Sequence, residues 1–600
     1  MDSLPEKDKR RARTALSAYF GYSSFRPHQP EIISAILQKR DVLGVIATGG
    51  GKSICFQIPA LLRGLTVVVS PLIALMKDQV DALCANGVPA ACLNSSMPYA
   101  EMKRTVEGVV SGRTLLLYVS PERASQQSFI SFLKEAGGPR ILAIDEAHCI
   151  SQWGHEFRPE YRQLKTLRTV FPDVPVIALT ATATGAVRED IVTQLGLRNP
   201  EIIVGSFYRP NLSYRVVQKK DSFQTLITFI SEHRHESGII YCRSRKGVTK
   251  LAKELYKKGI KAAAYHAGLN RDVRARTQDR FVRDDLDVIV ATVAFGMGVD
   301  KPDVRFVVHY DLPGSLEEYY QETGRAGRDG ERSECLLFYS RGDLGKARYF
   351  IDKIQNKSEK EAASVRLNAM IAYSETRQCR AAHLMGYFGE EFTQGRCGAC
   401  DNCLDPGESV DGTYAARLAV LCVDALGRSY GAGFIADVLK GSACQKVKER
   451  HADETPCYGR GRQYSKEQWL SFIHELVSAG ILAQEGSRYP VISLTPRGRQ
   501  FLHDKEEIRL TVNTPIKSAA PGPGGDALFE RLKRLRKELA DERAIAPYMI
   551  FSNASLREMA DSCPATSDQF LAVSGVGKKK LAAYGPTFLS AIRDSQSRSS

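Results

Sequence analysis

The sequence predicts an α/β chain with two successive doubly wound lobes, each built on a parallel sheet, followed by smaller and mainly helical units. Short apolar runs of strand length alternate with helical stretches through the first 200 residues, which is the pattern of a doubly wound sheet. A second series of the same kind begins near Gly238. Beyond Tyr339 the pattern becomes helical. We therefore expect two similar lobes and then a change of architecture.

Composition limits the class of protein before any motif is considered. A chain of 600 residues is too long for a single core, so several domains are expected. Its 83 lysines and arginines exceed its 68 acidic residues, and the net charge of +15 favours a polyanionic partner. The sequence has no apolar run of membrane-spanning length, no secretion signal, and 14 scattered cysteines with one cluster. These features predict a cytoplasmic protein without a membrane partner.

The first strand leads into a glycine-rich loop that predicts a site for ATP. The apolar run Val42–Ile46 is followed by Thr48, Gly49, Gly50, Gly51, Lys52 and Ser53, which open a helix. Glycines let successive backbone N–H groups converge on phosphate oxygens, and the helix N-terminus adds its dipole. Lys52 would reach the β- and γ-phosphates, and the Ser53 hydroxyl would ligate Mg²⁺. Ile46 stands where the strict motif has glycine, so the loop is a shortened variant. The alternative is a simple glycine-rich turn.

A second strand of this lobe ends in two adjacent acids. The run Ile141–Asp145 reads as a buried parallel strand, and its last residue and Glu146 would lie at the carboxyl edge of the sheet. Asp145 could hold Mg²⁺, while Glu146 could orient a water for attack on phosphate. The following loop contains Trp153, Phe157 and Arg158, a combination suited to stacking on nucleic-acid bases. A loop that packs its own aromatic side chains is the alternative.

The other strands complete the two lobes. We expect further strands of the first lobe, residues 1–205, at Leu65–Ser70, Leu115–Ser120 and Val176–Thr180. Those of the second lobe, residues 206–342, are expected at 238–244, Lys261–His266, Asp287–Thr292 and Val304–Tyr310. The second lobe lacks a phosphate loop but presents Arg325 and Arg328 after its last predicted strand. This asymmetry predicts one ATP site between the lobes, in which the arginines stabilise charge on the γ-phosphate.

Upstream of the first strand, Tyr22 and Gln29 are candidates for nucleotide recognition. Glutamine has the donor and acceptor that pair with an adenine edge, and tyrosine can stack on the base. A helix entry with a buried tyrosine is an equally good interpretation of this pattern.

Taken in order, these motifs resemble the superfamily-two helicases, and specifically the RecQ-type DNA helicases. The matching segments are Phe25–Gln29, Thr48–Ser53, Asp145–His148, residues 152–155, Thr180–Ala183 and Gln321–Arg328. The resemblance covers most of the chain. It implies two RecA-like lobes and ATP-dependent 3′→5′ movement on single-stranded DNA, with unwinding of duplex or branched DNA in recombination and repair.

The resemblance also implies roles for individual residues. Tyr22, Arg26 and Gln29 would hold adenine. His148 and Gln321 would couple the state of the γ-phosphate to lobe closure, and Arg325 and Arg328 would act as arginine fingers. The loop with Trp153, Phe157 and Arg158 would link DNA binding to hydrolysis. Two residues depart from the bacterial pattern: His28 replaces glycine and Ala47 replaces proline, from which we expect at most an altered nucleotide affinity.

Four cysteines predict a structural zinc site in a helical unit, residues 343–408. Cys397, Cys400 and Cys403 are spaced to bend a loop around one metal, and a fourth thiolate from a preceding helix would close a tetrahedral site. His383 is a possible fourth ligand, but Cys379 matches the family pattern. A closed set of four thiolates favours a structural rather than a catalytic zinc.

The rest of the chain predicts further nucleic-acid contacts. Residues 409–512 contain a capped amphipathic helix, Ser465–Leu476, and a plausible hairpin with Tyr489 near its turn, so we expect a winged helix. Tyr489 would wedge at the point of strand separation, or merely pack. Residues 513–525 are a linker rich in proline and glycine. Residues 526–600 resemble the family's helical HRDC domain, in which Tyr548 and Lys578 are candidate DNA contacts.

Two other functions are compatible with parts of this pattern. The chain could be a nucleic-acid-stimulated ATPase that acts on RNA or remodels without unwinding, since the two-lobed motor alone does not distinguish RNA from DNA. It could also be a binding scaffold on a decayed motor, although Lys52, Glu146 and both arginines are intact. The resemblance further suggests a single-strand-binding protein as a partner that docks on the winged helix.

Overall fold

A computed structural model describes residues 4–599 apart from 95–96, 152–153, 155–156, 235, 296–300, 341, 407, 428–429, 486–490, 505, 513–526 and 544. Within this part of the chain, no helix is both long and apolar enough to cross a membrane.

The first lobe is built on a parallel sheet of seven strands in the order β3-β4-β2-β5-β6-β1-β7. The strands are β1 (Val42–Val45), β2 (Thr66–Val69), β3 (Ala90–Leu93), β4 (Leu116–Val119), β5 (Ile141–Ile144), β6 (Val176–Thr180) and β7 (Glu201–Val204). All five strands expected from the sequence are present. Central strands such as β1 and β5 are buried along their whole length, which is why their apolar runs are continuous.

Helices cover both faces of this sheet. They are α1 (Glu6–Ala15), α2 (Gln29–Leu37), α3 (Ile54–Arg63), α4 (Ile73–Ala85), α5 (Tyr99–Val110), α6 (Pro121–Ala124), α7 (Gln127–Glu135), α8 (Pro159–Arg162), α9 (Lys165–Val170) and α10 (Gly185–Leu195). A π-helical segment, Leu16–Phe20, continues α1, and a 3₁₀ turn, Ala147–Ile150, follows the acid pair. Two hydrophobic clusters, one on each face, hold the helices to the strands.

The second lobe has a parallel sheet of six strands in the order β10-β11-β9-β12-β13-β8. The strands are β8 (Leu212–Gln218), β9 (Ser237–Tyr241), β10 (Ala262–Tyr265), β11 (Val288–Ala291), β12 (Val304–His309) and β13 (Ser333–Tyr339). Its helices are α11 (Ser222–Glu232), α12 (Arg245–Lys257), α13 (Arg271–Val282) and α14 (Leu316–Thr323), with a 3₁₀ turn at Val293–Phe295. The four expected strands form the sheet together with β8 and β13.

Three smaller units follow the lobes. The first contains α15 (Asp343–Asp352), α16 (Lys357–Glu375), α17 (Arg380–Tyr387) and α18 (Asp401–Leu404). The second contains β14 (Glu408–Asp411), α19 (Thr413–Ala425), α20 (Ala432–Lys440), α21 (Gln445–Glu449), α22 (Lys466–Ser478), β15 (Leu482–Glu485), β16 (Val491–Leu494), α23 (Pro496–His503) and β17 (Arg509–Val512), with a 3₁₀ turn at Ala452–Glu454. The third contains α24 (Ala527–Glu542), α25 (Pro547–Ile550), α26 (Asn553–Ser562), α27 (Ser567–Ala572) and α28 (Lys578–Ser599).

The second of these units has the helices and the hairpin of the predicted winged helix. Its helix α22 begins with the expected capping box, in which the Ser465 hydroxyl accepts from the Gln468 backbone and the Gln468 side chain accepts from the Ser465 backbone. Strands β15 and β16 pair antiparallel as the predicted hairpin. Strands β14 and β17 also pair antiparallel, which brings the two ends of the unit together and was not expected from the sequence.

Candidate active site

A cavity of about 640 Å³ lies between the lobes and collects nearly every residue that the sequence assigned to nucleotide binding or catalysis. Its volume suits a small-molecule ligand such as a nucleotide. Of the assigned residues, Gly50 and His148 do not line it. The residues that do are Tyr22, Arg26, Gln29, Thr48, Gly49, Gly51, Lys52, Ser53, Asp145, Glu146, Gln321, Arg325 and Arg328.

The phosphate loop between β1 and α3 has a backbone that only glycine adopts readily. Gly49 and Gly51 have φ angles of 84° and 79°, in the left-handed region. A Cβ atom on Gly51 would also lie 2.6 Å from the side-chain nitrogen of Gln29. Helix α3 begins directly after the loop, at Ile54, so its N-terminus faces the cavity edge formed by Lys52 and Ser53. This arrangement suits the binding of a polyphosphate.

Arg26 and Gln29 hold this loop in place. The Gln29 side-chain nitrogen donates to the Gly51 carbonyl at 2.9 Å and to the Gly50 carbonyl at 3.3 Å, and its oxygen accepts from the Arg26 backbone at 2.9 Å. The Arg26 guanidinium donates to the Gly49 carbonyl. Both side chains also line the cavity, so their assignment to adenine stays a prediction alongside the observed structural role. Tyr22 is 47% exposed at the cavity wall, where a ring is open to stacking.

The acid pair follows β5 in a constrained conformation. Glu146 has a φ of 46°, which is unusual for a residue with a side chain and recurs at functional sites. Burial of the Asp145 carboxyl, together with the neighbouring Glu146, raises the pKa of Asp145 to about 7, although Lys52 opposes this shift. Two adjacent carboxyl groups, both partly buried at the cavity wall, form a site that a divalent cation would neutralise. Asp145 and the Ser53 hydroxyl line the same cavity and are oxygen ligands of the kind that Mg²⁺ prefers.

His148 connects the acid pair to the end of β6. Its Nδ1 atom lies 3.3 Å from a Glu146 carboxylate oxygen and 2.9 Å from the Thr180 hydroxyl. The ring is buried, and its Nε2 atom also lies 3.8 Å from the Cys149 sulfur. His148 therefore contacts the residue predicted to orient water, and its coupling role stays a prediction.

The arginine-bearing segment of the second lobe approaches the phosphate loop directly. A Cβ atom on Gly49 would lie 3.5 Å from the Cα atom of Arg328, and one on Gly324 would lie 3.0 Å from Thr48. Gln321 and Arg325 are almost fully buried in the same region. Both arginines thus line the cavity beside the phosphate loop.

Two residues that the sequence did not single out fix this segment. The Arg209 guanidinium donates to the carbonyls of Gly324 at 2.8 Å, Ala326 at 3.0 Å and Gly327 at 2.6 Å. The Asn211 side chain donates to the Gly327 carbonyl at 2.9 Å as well. These contacts join residues more than 100 positions apart, so no local sequence pattern could reveal them.

The loop after the acid pair is tied to the sheet. The Arg158 guanidinium donates to the Pro71 carbonyl at 2.8 Å, at the end of β2, and the Tyr161 hydroxyl donates to the Asp145 carbonyl at 3.0 Å. The Arg162 guanidinium stacks 5.0 Å from the centre of the Phe157 ring. This loop therefore contacts the acid-bearing strand end through Tyr161. The candidate Trp153 lies outside the described residues.

The four predicted cysteines form the candidate metal centre. Their sulfur atoms all lie within 4.8 Å of one another, and the group does not include His383. Backbone N–H groups of Arg380, Cys397 and Cys400 point at the sulfurs at 3.3–3.4 Å, as around metal-bound thiolates. Four thiolates in this space match the tetrahedral coordination of a structural zinc ion.

The metal-binding loop packs against the second lobe. The Asp401 carboxylate accepts from the Arg380 guanidinium at 2.6 Å and from the backbone of Val216 in β8 at 2.8 Å. The Ser213 hydroxyl donates to the Ala399 carbonyl at 2.6 Å. The candidate metal centre therefore packs against β8, an edge strand of the second lobe. This position suits a structural site rather than a catalytic one.

The C-terminal helical unit contributes a third wall to the nucleotide cavity. Tyr548 and Lys580 line it, and burial lowers the pKa of Lys580 to about 8. The Lys537 ammonium lies 2.9 Å from the Asp285 carboxylate in the second lobe, and Arg536 is fully buried, 3.8 Å from Asp303. The predicted DNA contact Tyr548 thus faces the nucleotide cavity, whereas Lys578 is exposed at the start of α28. Tyr489 lies outside the described residues.

Comparison with protein families divides the chain among five matches. They are a DEAD/DEAH box helicase domain (residues 26–191), a helicase conserved C-terminal domain (219–330), a RecQ zinc-binding domain (341–404), an RQC domain (406–519) and an HRDC domain (525–592).

Three bacterial relatives match nearly the whole chain. The chain is 43% identical to the ATP-dependent DNA helicase RecQ of Haemophilus influenzae, over 98% of this chain and 96% of the relative. It is 42% identical to the protein of the same name from Pasteurella multocida, over 98% and 94% of the two chains. It is 40% identical to that from Bacillus subtilis, over 97% and 98%.

Proposed function

This chain belongs to the RecQ family of ATP-dependent DNA helicases, and we propose that it moves 3′→5′ on single-stranded DNA by hydrolysing ATP between its two lobes. It is an ATP-hydrolysing DNA helicase that uses ATP and Mg²⁺ and carries zinc. The observation that carries the proposed mechanism is the close approach of the arginine-bearing segment to the phosphate loop across one cavity.

Each residue then has a defined task in the proposed mechanism. Lys52 and the loop backbone bind the phosphates, and Ser53 and Asp145 would hold Mg²⁺, which would supply positive charge to neutralise the phosphates. Glu146 orients the attacking water, with His148 fixing its carboxylate. Arg325 and Arg328 stabilise the charge that develops on the γ-phosphate as the lobes close. Because these groups come from both lobes, hydrolysis and lobe movement are coupled.

The loop from Phe157 to Tyr161 is proposed to couple DNA to hydrolysis. Its support is the Tyr161 hydrogen bond to Asp145 and the Arg158 hydrogen bond to the end of β2. A strand bound against this loop would shift the acid-bearing strand end, so hydrolysis would respond to DNA. Trp153 is proposed to contact the same strand because aromatic side chains stack on bases of any sequence.

The direct experiment measures the rate of ATP hydrolysis with and without single-stranded DNA. We expect strong stimulation by DNA in the wild-type protein and none in a Phe157→Ala/Arg158→Ala variant that still binds nucleotide. Lys52→Ala should lose nucleotide binding itself. A wild-type rate of ATP hydrolysis that does not change when DNA is added would argue against this function. Equal stimulation by RNA would favour the RNA-directed alternative.

The domain boundaries at residues 205, 342, 408 and 512, with a linker at 513–525, are part of the same proposal. Their support is that the second and third small units each have a hydrophobic core of their own. Limited proteolysis should cut first in the linker and release the C-terminal unit. First cuts within a lobe would contradict the boundaries.

We propose a single-strand-binding protein as the protein partner, with the winged helix as its docking site. The physical reason is that both proteins act on the same DNA strand. Because the chain binds DNA, a tagged form in a bacterial cell should also be found at the nucleoid. Co-sedimentation of the purified full chain with single-strand-binding protein in the absence of DNA tests the contact. Separate sedimentation would contradict it.

A further inference from the structure

Helix α15 presents two neighbouring aromatic side chains to solvent. Tyr349 is 57% exposed and Phe350 is 50% exposed, whereas Ala347 in the same helix is buried against the core. The rings lie 5.8 Å apart in an edge-on arrangement. Large apolar side chains exposed next to each other lose free energy in water unless something covers them.

Each ring is accompanied by a cation. The Arg243 guanidinium lies 5.1 Å from the centre of the Phe350 ring, and the Lys353 ammonium lies 4.5 Å from the centre of the Tyr349 ring. Arg243 is held there because it also donates to the Leu312 carbonyl at 3.2 Å. We call these four residues, Arg243, Tyr349, Phe350 and Lys353, the aromatic–cationic patch.

The patch is fixed to the second lobe. The Lys219 ammonium joins Asp343, at the start of α15, to Asp311, at the end of β12, with distances of 3.4 and 2.6 Å. Arg243 follows β9, the neighbour of β12 in the sheet. The helix is therefore anchored beside the carboxyl ends of two central strands.

Further cations lie close to the patch in the chain. Arg245 and Lys246 are exposed in the first turn of α12, directly after Arg243 and Ser244. A protein partner would need acidic groups opposite these cations in addition to an apolar insert. A single-stranded polyanion with exposed base faces satisfies both the rings and the cations at once.

We propose that the aromatic–cationic patch stacks bases of the single-stranded DNA on which the helicase moves. The inference rests on the proposed function and adds a DNA contact in the second lobe, outside the loop after the acid pair. Tyr349 and Phe350 offer ring faces to the bases, and Arg243 and Lys353 face the adjacent phosphates. Because stacking does not distinguish bases, the contact suits movement along any sequence.

The test compares two oligonucleotides of equal length, one of thymidines and one whose sugar–phosphate backbone has no bases. Binding is measured by fluorescence anisotropy with the full chain. We expect Tyr349→Ala/Phe350→Ala to bind the thymidine strand about tenfold more weakly, the scale of lost base stacking. Its affinity for the abasic strand should equal that of the wild type. The exchanged variant Tyr349→Phe/Phe350→Tyr, which keeps both rings, should bind both strands normally.

A matched control is available in the same lobe. Tyr256 is 70% exposed on α12, and Tyr256→Ala should leave both affinities unchanged. Arg243→Gln should weaken the binding of both oligonucleotides equally, since it removes a phosphate contact. Unchanged thymidine binding by the double alanine variant, or an equal loss on both strands, would overturn the stacking role. If the wild type bound neither strand, the proposed helicase function would fail as well.

Discussion

Glu146 carries the most demanding requirements of any single residue in this site. Its backbone is left-handed, its carboxylate contacts His148, and it lies beside Asp145, whose pKa is raised to about 7. We expect Glu146→Gln to bind ATP and DNA normally but to hydrolyse ATP at least about 10²-fold more slowly, because a group that activates water contributes on this scale. Steady-state hydrolysis and fluorescent-nucleotide binding check this. Glu122→Gln, on the exposed surface, is the control. A normal rate of ATP hydrolysis by Glu146→Gln would show that Glu146 does not orient the attacking water.

His28 shows how a departure from the family pattern acquires a physical meaning. It has a φ of 69°, and its ring lies against Gly205. A left-handed conformation costs a residue with a side chain about 1–2 kcal/mol, while glycine costs about 0.5–1 kcal/mol in chain entropy. His28→Gly should therefore stabilise the first lobe by roughly 0.5 kcal/mol. Urea unfolding measures this change in the free energy of unfolding. The control Gln38→Gly, at a position where φ is −84°, should destabilise the lobe instead. A destabilised His28→Gly would contradict the strain argument.

At the scale of residues, the candidate catalytic and binding groups could be predicted from sequence, but the residues that hold them in position could not. The phosphate loop, the acid pair and the opposed arginines were found because their functions need particular groups at fixed local spacing. Arg209 and Asn211 were missed because their partners lie over 100 residues away. Arg26 and Gln29 were expected to recognise adenine, and their contacts with the phosphate loop appear only in three dimensions.

Among the elements, the segment Gly324–Arg328 is held by three hydrogen bonds from the partly buried Arg209. Arg209→Ala would leave the Gly324 and Ala326 carbonyls without this donor and the Gly327 carbonyl with Asn211 alone, which would loosen the segment. We expect kcat to fall about tenfold with little change in the KM for ATP, because the phosphate loop is untouched. Stopped-time hydrolysis assays measure both constants. Arg198→Ala, which removes a donor to the Pro172 carbonyl elsewhere, should change neither. A rise in KM alone would refute the positioning role.

The metal-binding unit gives a prediction for zinc removal. Cys400 is fully buried and the loop braces β8, so loss of the metal should loosen this unit and the adjoining sheet edge. A strong chelator should expose protease sites within residues 343–408 while nucleotide binding persists. Cys397→Ser should reproduce the effect without chelator. Unchanged protease sensitivity after the zinc has been removed would contradict a structural role.

Strands were predicted well where burial is uniform, and three of the four strands missed in the two sheets lie at a sheet edge. Most buried strands were located from their continuous apolar runs, but β13, which lies between β12 and β8, was not. The first-lobe strands that were missed, β3 and β7, are the two edges of their sheet, and β8 is an edge of the other. β7 alternates partly exposed and buried residues, so its sequence lacks the signal of a buried strand.

For the whole molecule, the unexpected feature is the C-terminal unit at the nucleotide cavity. Lys537→Glu should weaken its docking, since it turns the contact with Asp285 into a repulsion. We expect nucleotide release to accelerate about two- to fivefold, the scale of a partly exposed ion pair. Stopped-flow release of a fluorescent nucleotide measures this. The double variant Lys537→Glu/Asp285→Lys should restore the wild-type rate. Equal release rates in all three proteins would show that docking does not affect the cavity.

The order of units along the chain could be predicted from sequence, but their contacts could not. Composition and motifs indicate a motor, a metal-binding unit, a winged helix and a terminal helical unit. The placement of the last unit over the cavity depends on contacts between residues far apart in the chain, such as Lys537 and Asp285.

The central claim is that ATP hydrolysis between the lobes drives 3′→5′ movement on DNA. The most direct measurement is unwinding of two duplexes that differ only in having a 3′ or a 5′ single-stranded tail. The account predicts ATP-dependent unwinding of the 3′-tailed duplex and no unwinding of the 5′-tailed one. The Glu146→Gln variant should unwind neither duplex. Unwinding of the 5′-tailed duplex at an equal rate, or of the 3′-tailed duplex by Glu146→Gln, would contradict it.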